Sequence, residues 1–263
     1  MEIKYTLLGL LVYAAMLLWL LALGLYFRTR RGGSRLFAGG FLVLAAAFVL
    51  RWIQVRHAPL QNMFEVMLTI AMLMYPFWLL SQKFLLAQFA PAAVILGLII
   101  LVPVGFRFSA DPQHLPPALN SWLFIPHVAS YMLAYAILGL AMAQAILQLI
   151  TALWPIGLDG HRCEEATYRL IGFGFPLLTL GLVLGAVWGQ LAWSDYWQWD
   201  PKELWSLTTL LAYLAYFHFR NHFGKKYMRA NAVLAIVGGA CVIITLLWVS
   251  LSSLFQSMHN YAS

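Results

Sequence analysis

The sequence predicts an all-α bundle of about eight helices embedded in a lipid bilayer, and three observations predict it. Hydrophobic residues make up 63% of the 263 residues and charged ones only 10%, too few to cover the surface of a water-soluble domain of this size. Apolar runs of the roughly 20 residues needed to cross a hydrocarbon core follow one another along the chain. The few basic residues sit between those runs, so the net charge of +7 reads as membrane topology and not as a nucleic-acid surface.

The predicted spans are 5–27, 36–54, 64–82, 84–103, 122–150, 169–189, 205–219 and 231–251. The seventh is short unless it extends upstream past Pro201, and the fifth is long enough to tilt or to project beyond the bilayer. The first is long enough to span, and its charges (Arg28, Arg30, Arg31, Arg35) follow the apolar run, which is unlike a cleaved signal peptide. No repeat, low-complexity segment or soluble domain interrupts the series, so residues 1–263 read as one membrane-embedded domain.

Lysine and arginine set the orientation. With the N-terminus outside, the inner connections hold Arg28, Arg30, Arg31, Arg35, Lys83, Arg162, Arg169, Arg220, Lys225, Lys226 and Arg229, 11 of the 16 basic residues. Both termini then lie outside, and the connections 104–121 and 190–204 share that face with the tail 252–263. Cys163 and Cys241 are too few and too far apart for a metal motif or a disulfide framework. The chain contains no CxxCH, so it is not itself a c-type cytochrome.

The outer connection before the seventh span reads WGQLAWSDYWQWDPKELW, residues 188–205. Trp188, Trp193, Trp197, Trp199 and Trp205 are five of the chain's 11 tryptophans. Tryptophan is common at the headgroup level, so an interfacial belt is the plain structural reading. Five in one connection exceed what anchoring needs, and flat, weakly polar rings suit a large planar aromatic ligand. Asp200-Pro201-Lys202-Glu203 has the pattern of a helix start, with Asp as N-cap, Pro at the first helical position and Glu completing a capping box.

This segment resembles the WWD signature of the haem-handling membrane proteins. Its intact DPKE, with Tyr216-Phe217-His218 at the end of the following span, is most similar to the CcsA (ResC) family of system II cytochrome c maturation. The resemblance extends to 51–65 (RWIQVRHAPLQNMFE), 126–131 (PHVASY) and 258–262 (MHNYA), and so covers most of the chain. It implies haem b as the group handled and a CcsB (ResB) membrane subunit as partner. It implies as well an apocytochrome c bearing CxxCH as acceptor, and a bacterial cytoplasmic or thylakoid membrane as the setting.

The histidines divide accordingly. His127, just after Pro126, and His259, past the eighth span, lie by topology on the same face as the tryptophan segment. The resemblance pairs them as the two axial ligands of a haem iron, with Trp188, Trp193, Trp197, Trp199, Trp205, Asp200 and Glu203 around it. His218 ends the seventh span near the inner face, where it either snorkels beside Arg220 or, as the resemblance implies, contacts haem transiently on its way outward. His57 falls in a turn feeding the third span, as a hydrogen-bonding residue or as part of the haem site. Arg56, Arg107 and Lys202 are the outer cations available to propionates, and their spacing selects none of them.

The function implied is delivery of haem to the outer face and its presentation for thioether attachment, with CcsB completing the synthase. A b-type electron-transfer anchor and a haem chaperone or exporter without ligation activity remain alternatives. A transporter without haem chemistry ranks last, because the spans look nearly free of polar residues.

Overall fold

In the computed structural model, residues 3–154 and 157–249 are described, and among them every regular element is helical. The described residues form a polytopic helical bundle of eight α-helices. Six helical stretches among them, the last running Met228–Trp248, are long and apolar enough to cross a membrane, and Ala90–Phe106 is a shorter apolar helix. The chain divides into two compact units, residues 1–79 with 89–117 and residues 80–88 with 118–263.

The first unit holds α1 (Leu7–Tyr26), α2 (Arg30–Val55), α3 (Met63–Phe84) up to Leu79, and α4 (Ala90–Phe106). Helix α2 starts earlier than the apolar run suggested, so Arg30, Arg31 and Arg35 are helical yet exposed. Trp19 on α1 is fully buried, and its indole N–H donates to Phe37 O at 3.1 Å. The ring lies against Gly40 of α2 and Gly97 of α4, where any side-chain carbon would strike it. Without a hydrophobic force between helices in lipid, such large-on-small packing is what draws them together.

One end of this unit is tied by a buried ion pair. Arg51 Nε donates to Glu65 Oε1 at 2.8 Å, with both side chains essentially inaccessible (0% and 1%). The other guanidinium nitrogens reach Ala110 O at 2.6 Å and Asp111 O at 3.1 Å. Glu65 Oε2 accepts from Gln61 N at 2.8 Å, and Asn62 Oδ1 accepts from Glu65 N at 3.0 Å. Two loops, 56–62 and 107–114, are thus folded around one charge pair whose hydrogen-bonding capacity is nearly filled.

The second unit holds α5 (Phe124–Leu153), α6 (Gly160–Trp193), α7 (Pro201–Phe223) and α8 (Met228–Ile243), which continues into a π-helical turn at Ile244–Trp248. The seventh helix does extend upstream to Pro201. Helix α6, at 34 residues, is about 51 Å long and outreaches a hydrocarbon core of about 30 Å. At one end of the unit Glu164, 1% exposed, accepts from Arg220 Nε at 2.6 Å and from Asn231 Nδ2 at 3.1 Å, joining α6, α7 and α8. Glu165 beside it pairs with Lys225 at 2.9 Å and Arg169 at 3.0 Å.

The expectation that the spans lack polar residues is corrected here. Thr209, Tyr213 and Tyr216 on α7, Gln144 and Gln148 on α5, and Thr245 on α8 are all buried. The run AYLAYFHF looks apolar because tyrosine counts as hydrophobic, and its hydroxyls emerge only once the helix faces are assigned.

The Arg51–Glu65 pair yields a stability prediction. Arg51→Met leaves a buried carboxylate uncompensated and lowers unfolding free energy by about 3–5 kcal/mol, whereas Arg51→Met with Glu65→Leu loses less than Arg51→Met alone. Denaturant titration in detergent checks this, and a double variant that is additive or worse refutes the coupling.

Candidate functional site

The tryptophan segment connects α6 to α7 and lies at the end of the second unit where α5 begins. Helix α5 opens on Phe124-Ile125-Pro126, and proline in the first turn forfeits only an N–H that has no intrahelical acceptor. His127 follows, its backbone N–H bonded to Leu123 O. Its side chain crosses to α6, where Nδ1 lies 2.8 Å from Gly181 O.

That crossing requires glycine. A side chain at Gly185 would collide with the His127 ring, and one at Gly181 would press on Tyr131 at 3.0 Å. Gly189, one turn further, lets the chain at Trp193–Asp195 fold back onto α6. Gly181, Gly185 and Gly189 form a small-residue stripe at intervals of four, which is the close-packing pattern of membrane helices. The stripe is displayed openly in the sequence as GLVLGAVWG, where the spacing of the glycines is the signal.

A histidine whose Nδ1–H donates to a carbonyl carries its lone pair on Nε2, the electronic form that binds a metal, with the carbonyl fixing the ring's direction. The ring is stacked on Trp188 (centroids 5.8 Å apart, planes at 19°) and meets the Tyr131 ring at 90°. Trp188 itself is 2% exposed, donates its indole N–H to Ala118 O at 3.0 Å, and packs against Trp193 at 4.8 Å. It is therefore part of the wall that holds His127, with no open face of its own.

The remaining tryptophans differ in exposure. Trp193, Trp197 and Trp205 are half-buried, whereas Trp199 is 66% exposed and stands edge-on to Trp197 at 6.0 Å. Trp199 has φ +57° and Ser194 φ +63°, left-handed backbone that bends the segment at both ends. Tyr196 and Trp122, both exposed, add aromatic surface to the same unit, and neither was singled out from the sequence.

The carboxylates do what the capping pattern predicts. Asp200 Oδ1 accepts from Lys202 N at 2.8 Å, and Glu203 Oε2 accepts from Asp200 N at 3.1 Å and Gln198 N at 2.9 Å. Helix α7 and the tryptophan loop are thus fastened by the same two side chains. Lys202 beside them is the unit's cation at this end. Burial pushes its ammonium down to about 8, against the opposing pull of the Asp200 carboxylate.

His218 lies at the opposite end of α7, exposed, with Nδ1 2.9 Å from Leu214 O one turn earlier. It is not brought together with His127. His57 belongs to the first unit, its ring nitrogens facing Ala58 O (3.0 Å) and Gln113 O (3.4 Å). His259 lies outside the described residues. Among the described residues no group of three or more His, Cys, Asp or Glu side chains could hold a metal ion unaided, and Cys163 and Cys241 are buried free thiols.

The geometry predicts a coupled pair. Gly185→Val overpacks the His127 contact and lowers stability by about 1–3 kcal/mol. His127→Ala placed in the Gly185→Val background recovers much of that loss, because the clashing ring is gone. A detergent unfolding cycle measures the coupling, and simple additivity would contradict the contact.

Residues 6–256 match the family model described as "Cytochrome C assembly protein". The chain is 32% identical to the cytochrome c biogenesis protein CcsA of Mesostigma viride, over 84% of this chain and 82% of that one. It is also 32% identical to CcsA of Synechococcus sp. (strain CC9902), over 95% and 94%. A solved structure titled cytochrome c heme lyase CcmF shares the fold, with a TM-score of 0.70 and 21% identity, covering 98% of this chain and 49% of that larger one. A multi-pass helical chain with this match along nearly its whole length belongs to the CcsA family of cytochrome c biogenesis proteins.

Proposed function

We propose that this chain handles haem b during cytochrome c biogenesis, receiving it as a substrate and presenting it at the tryptophan end for attachment to a CxxCH apocytochrome. The observation that carries this reading is His127. Its ring is held by Gly181 O at Nδ1 and by the Trp188 ring, at the foot of a tryptophan-rich loop. An oriented imidazole beside exposed aromatic surface suits an iron porphyrin in both donor chemistry and shape.

In this reading His127 and His259 supply the two axial nitrogens, and Trp193, Trp197 and Trp199 cover the macrocycle. Trp188 and Trp205 support them from within the bundle. Asp200 and Glu203 hold the loop through backbone N–H groups and need no acid–base part. Lys202 pairs with a propionate. The acceptor's histidine displaces one axial imidazole, and each of its thiols adds across a vinyl C=C, sulfur to one carbon and the proton to the other. The protein contributes position and shielding from water.

His218 points out of the second unit, which suits a ligand shared with another subunit. A CcsB-type partner would complete an inner site there, and the synthase would be the pair. The tryptophan segment and both termini lie on the outer face of a cytoplasmic or thylakoid membrane, with the lysine and arginine bias inside. His57 helps to shape the outer loops of the first unit.

Purified protein, alone and with its CcsB-type partner, is expected to show a low-spin b-type reduced-minus-oxidised spectrum that His127→Ala/His259→Ala abolishes. A spectrum indifferent to both substitutions would overturn the ligand assignment and favour an electron-transfer anchor. Transfer to a coexpressed CxxCH reporter separates ligation from a chaperone or exporter role, since only ligation leaves covalent haem on the reporter.

Lys202 makes the interaction pH-dependent. With its pKa near 8, the ammonium is cationic below that pH and lost above it. Affinity for haemin, a dicarboxylate, therefore falls as pH rises from 7 to 9, and Lys202→Arg removes that fall. Absorption titration reads the change, and identical pH profiles for the two proteins would exclude Lys202 as the propionate partner.

A further inference from the structure

Helix α7 carries one feature that haem handling leaves unexplained. Its positions 202, 206, 209, 213, 216 and 220 repeat at intervals of four and three, which places them along one face. They are Lys202, Ser206, Thr209, Tyr213, Tyr216 and Arg220, all polar and none exposed. At 1.5 Å per residue the stripe is about 27 Å long, close to the thickness of a hydrocarbon core.

Each position meets a different neighbour within the unit. Ser206 faces Tyr131 of α5. Thr209 Oγ1 lies 3.1 Å from Thr245 Oγ1 of α8, at the π-helical turn Ile244–Trp248. The Tyr213 ring rests on Gly238 of α8, where a side chain would strike its phenol carbons, and lies within electrostatic reach of Cys241 and Tyr216. Tyr216 is likewise within reach of Glu164 and Arg220, and Arg220 is bound to Glu164.

The stripe is incompletely satisfied. Tyr213 OH and Tyr216 OH are buried with no hydrogen-bond partner, as are Asn231 Oδ1 and Gln148 Oε1 near the Glu164 end. Both tyrosines are 0% exposed and Asn231 is 1% exposed. The Asn231 amide cannot be turned to remedy this, because its Nδ2 already donates to Glu164 Oε1 and Gly224 O, each at 3.1 Å. A donor is therefore required at Oδ1, and hydroxyl partners at the tyrosines. In a bilayer no lipid group can supply them, and each unmade bond costs about 1–3 kcal/mol. Water supplies donor and acceptor together and occupies buried sites that offer it two to four polar partners.

We infer that the inward face of α7 is a water-binding site, in which ordered waters join Tyr213 and Tyr216 to Asn231 and Glu164 inside the second unit. The waters enter from the Glu164 end, where Arg220 and Lys225 border the aqueous phase. They hydrate the bundle interior as far as the Cys241 level. Water in this seam is present whether or not the tryptophan end holds haem.

Radiolytic labelling of the full chain in lipid nanodiscs tests this. A brief X-ray pulse in H2(18)O converts bound water to hydroxyl radical, which marks adjacent side chains with 18O. Tyr213 and Tyr216 are expected to label severalfold faster than Trp19, a ring of comparable reactivity that is equally buried and whose N–H is bonded to Phe37 O. Rates at or below that of Trp19 mean a dry seam and overturn the proposal. Tyr213→Phe gives an independent reading. If water serves its hydroxyl, the unfolding midpoint stays level or falls and labelling of Cys241 drops. If the hydroxyl is simply unpaired, its removal raises the midpoint and leaves Cys241 labelling unchanged, which refutes the site.

Discussion

The close approach of α5 and α6 through Gly181 and Gly185 is the constraint on which the candidate site depends. Lipid offers helices no hydrophobic reason to associate, so the contact must come from shape, and shape here means the absence of side chains. With the two backbones that near, an imidazole on one helix can reach a carbonyl on the other, which it does at 2.8 Å from His127 to Gly181. The same approach lays Trp188 flat against the imidazole and Tyr131 edge-on to it. An imidazole held by three neighbours has lost its rotamer freedom before anything binds, so the ligation proposed for it would start with part of the entropy cost already met in folding.

The loop beyond α6 is built on the same economy of parts. Asp200 caps the start of α7 by accepting from Lys202 N and Glu203 N, and Glu203 ties that start to the loop before it by accepting from Asp200 N and Gln198 N. Two left-handed residues, Ser194 and Trp199, turn the chain back toward α6 where a continued helix would have carried the tryptophans away from the bundle. What results is a graded surface, from the wholly buried Trp188 through half-buried Trp193 and Trp197 to the open ring of Trp199. Rigidity lies underneath and the open ring on top, an order that suits the proposed docking and release of a large flat molecule.

How much of this was legible in the sequence follows from which interactions are local. Helix α7 and its cap were readable because Asp200-Pro201-Lys202-Glu203 encodes an interaction within four residues. The membrane class was readable because composition needs no partner. The Arg51–Glu65 pair was not, since two charges fourteen positions apart announce no pairing until the intervening loop closes. Arg220 and Lys225 entered the topology as free inner charges, and their ties to Glu164 and Glu165 appear only with the fold. The tryptophan cluster was visible as a cluster, but the sequence could not say that Trp188 faces inward and Trp199 outward. The orientation of His127 was hidden too, because it rests on the absence of two β-carbons on another helix.

The setting of α7 about its own axis explains why His218 faces away from the bundle. That helix is pinned at the tryptophan end by its capping box, midway by Thr209 against Thr245 and Tyr213 against Gly238, and at the far end by Arg220 against Glu164. Turning His218 inward would carry Tyr213, Tyr216 and Arg220 outward, breaking the Arg220–Glu164 pair and leaving the Glu164 carboxylate buried and uncompensated, a cost of about 3–5 kcal/mol. The direction of His218 is therefore dictated by residues on the opposite side of the helix. Any site that uses its imidazole must be completed from outside this unit, and the polar stripe makes that dependence a built-in property of the fold.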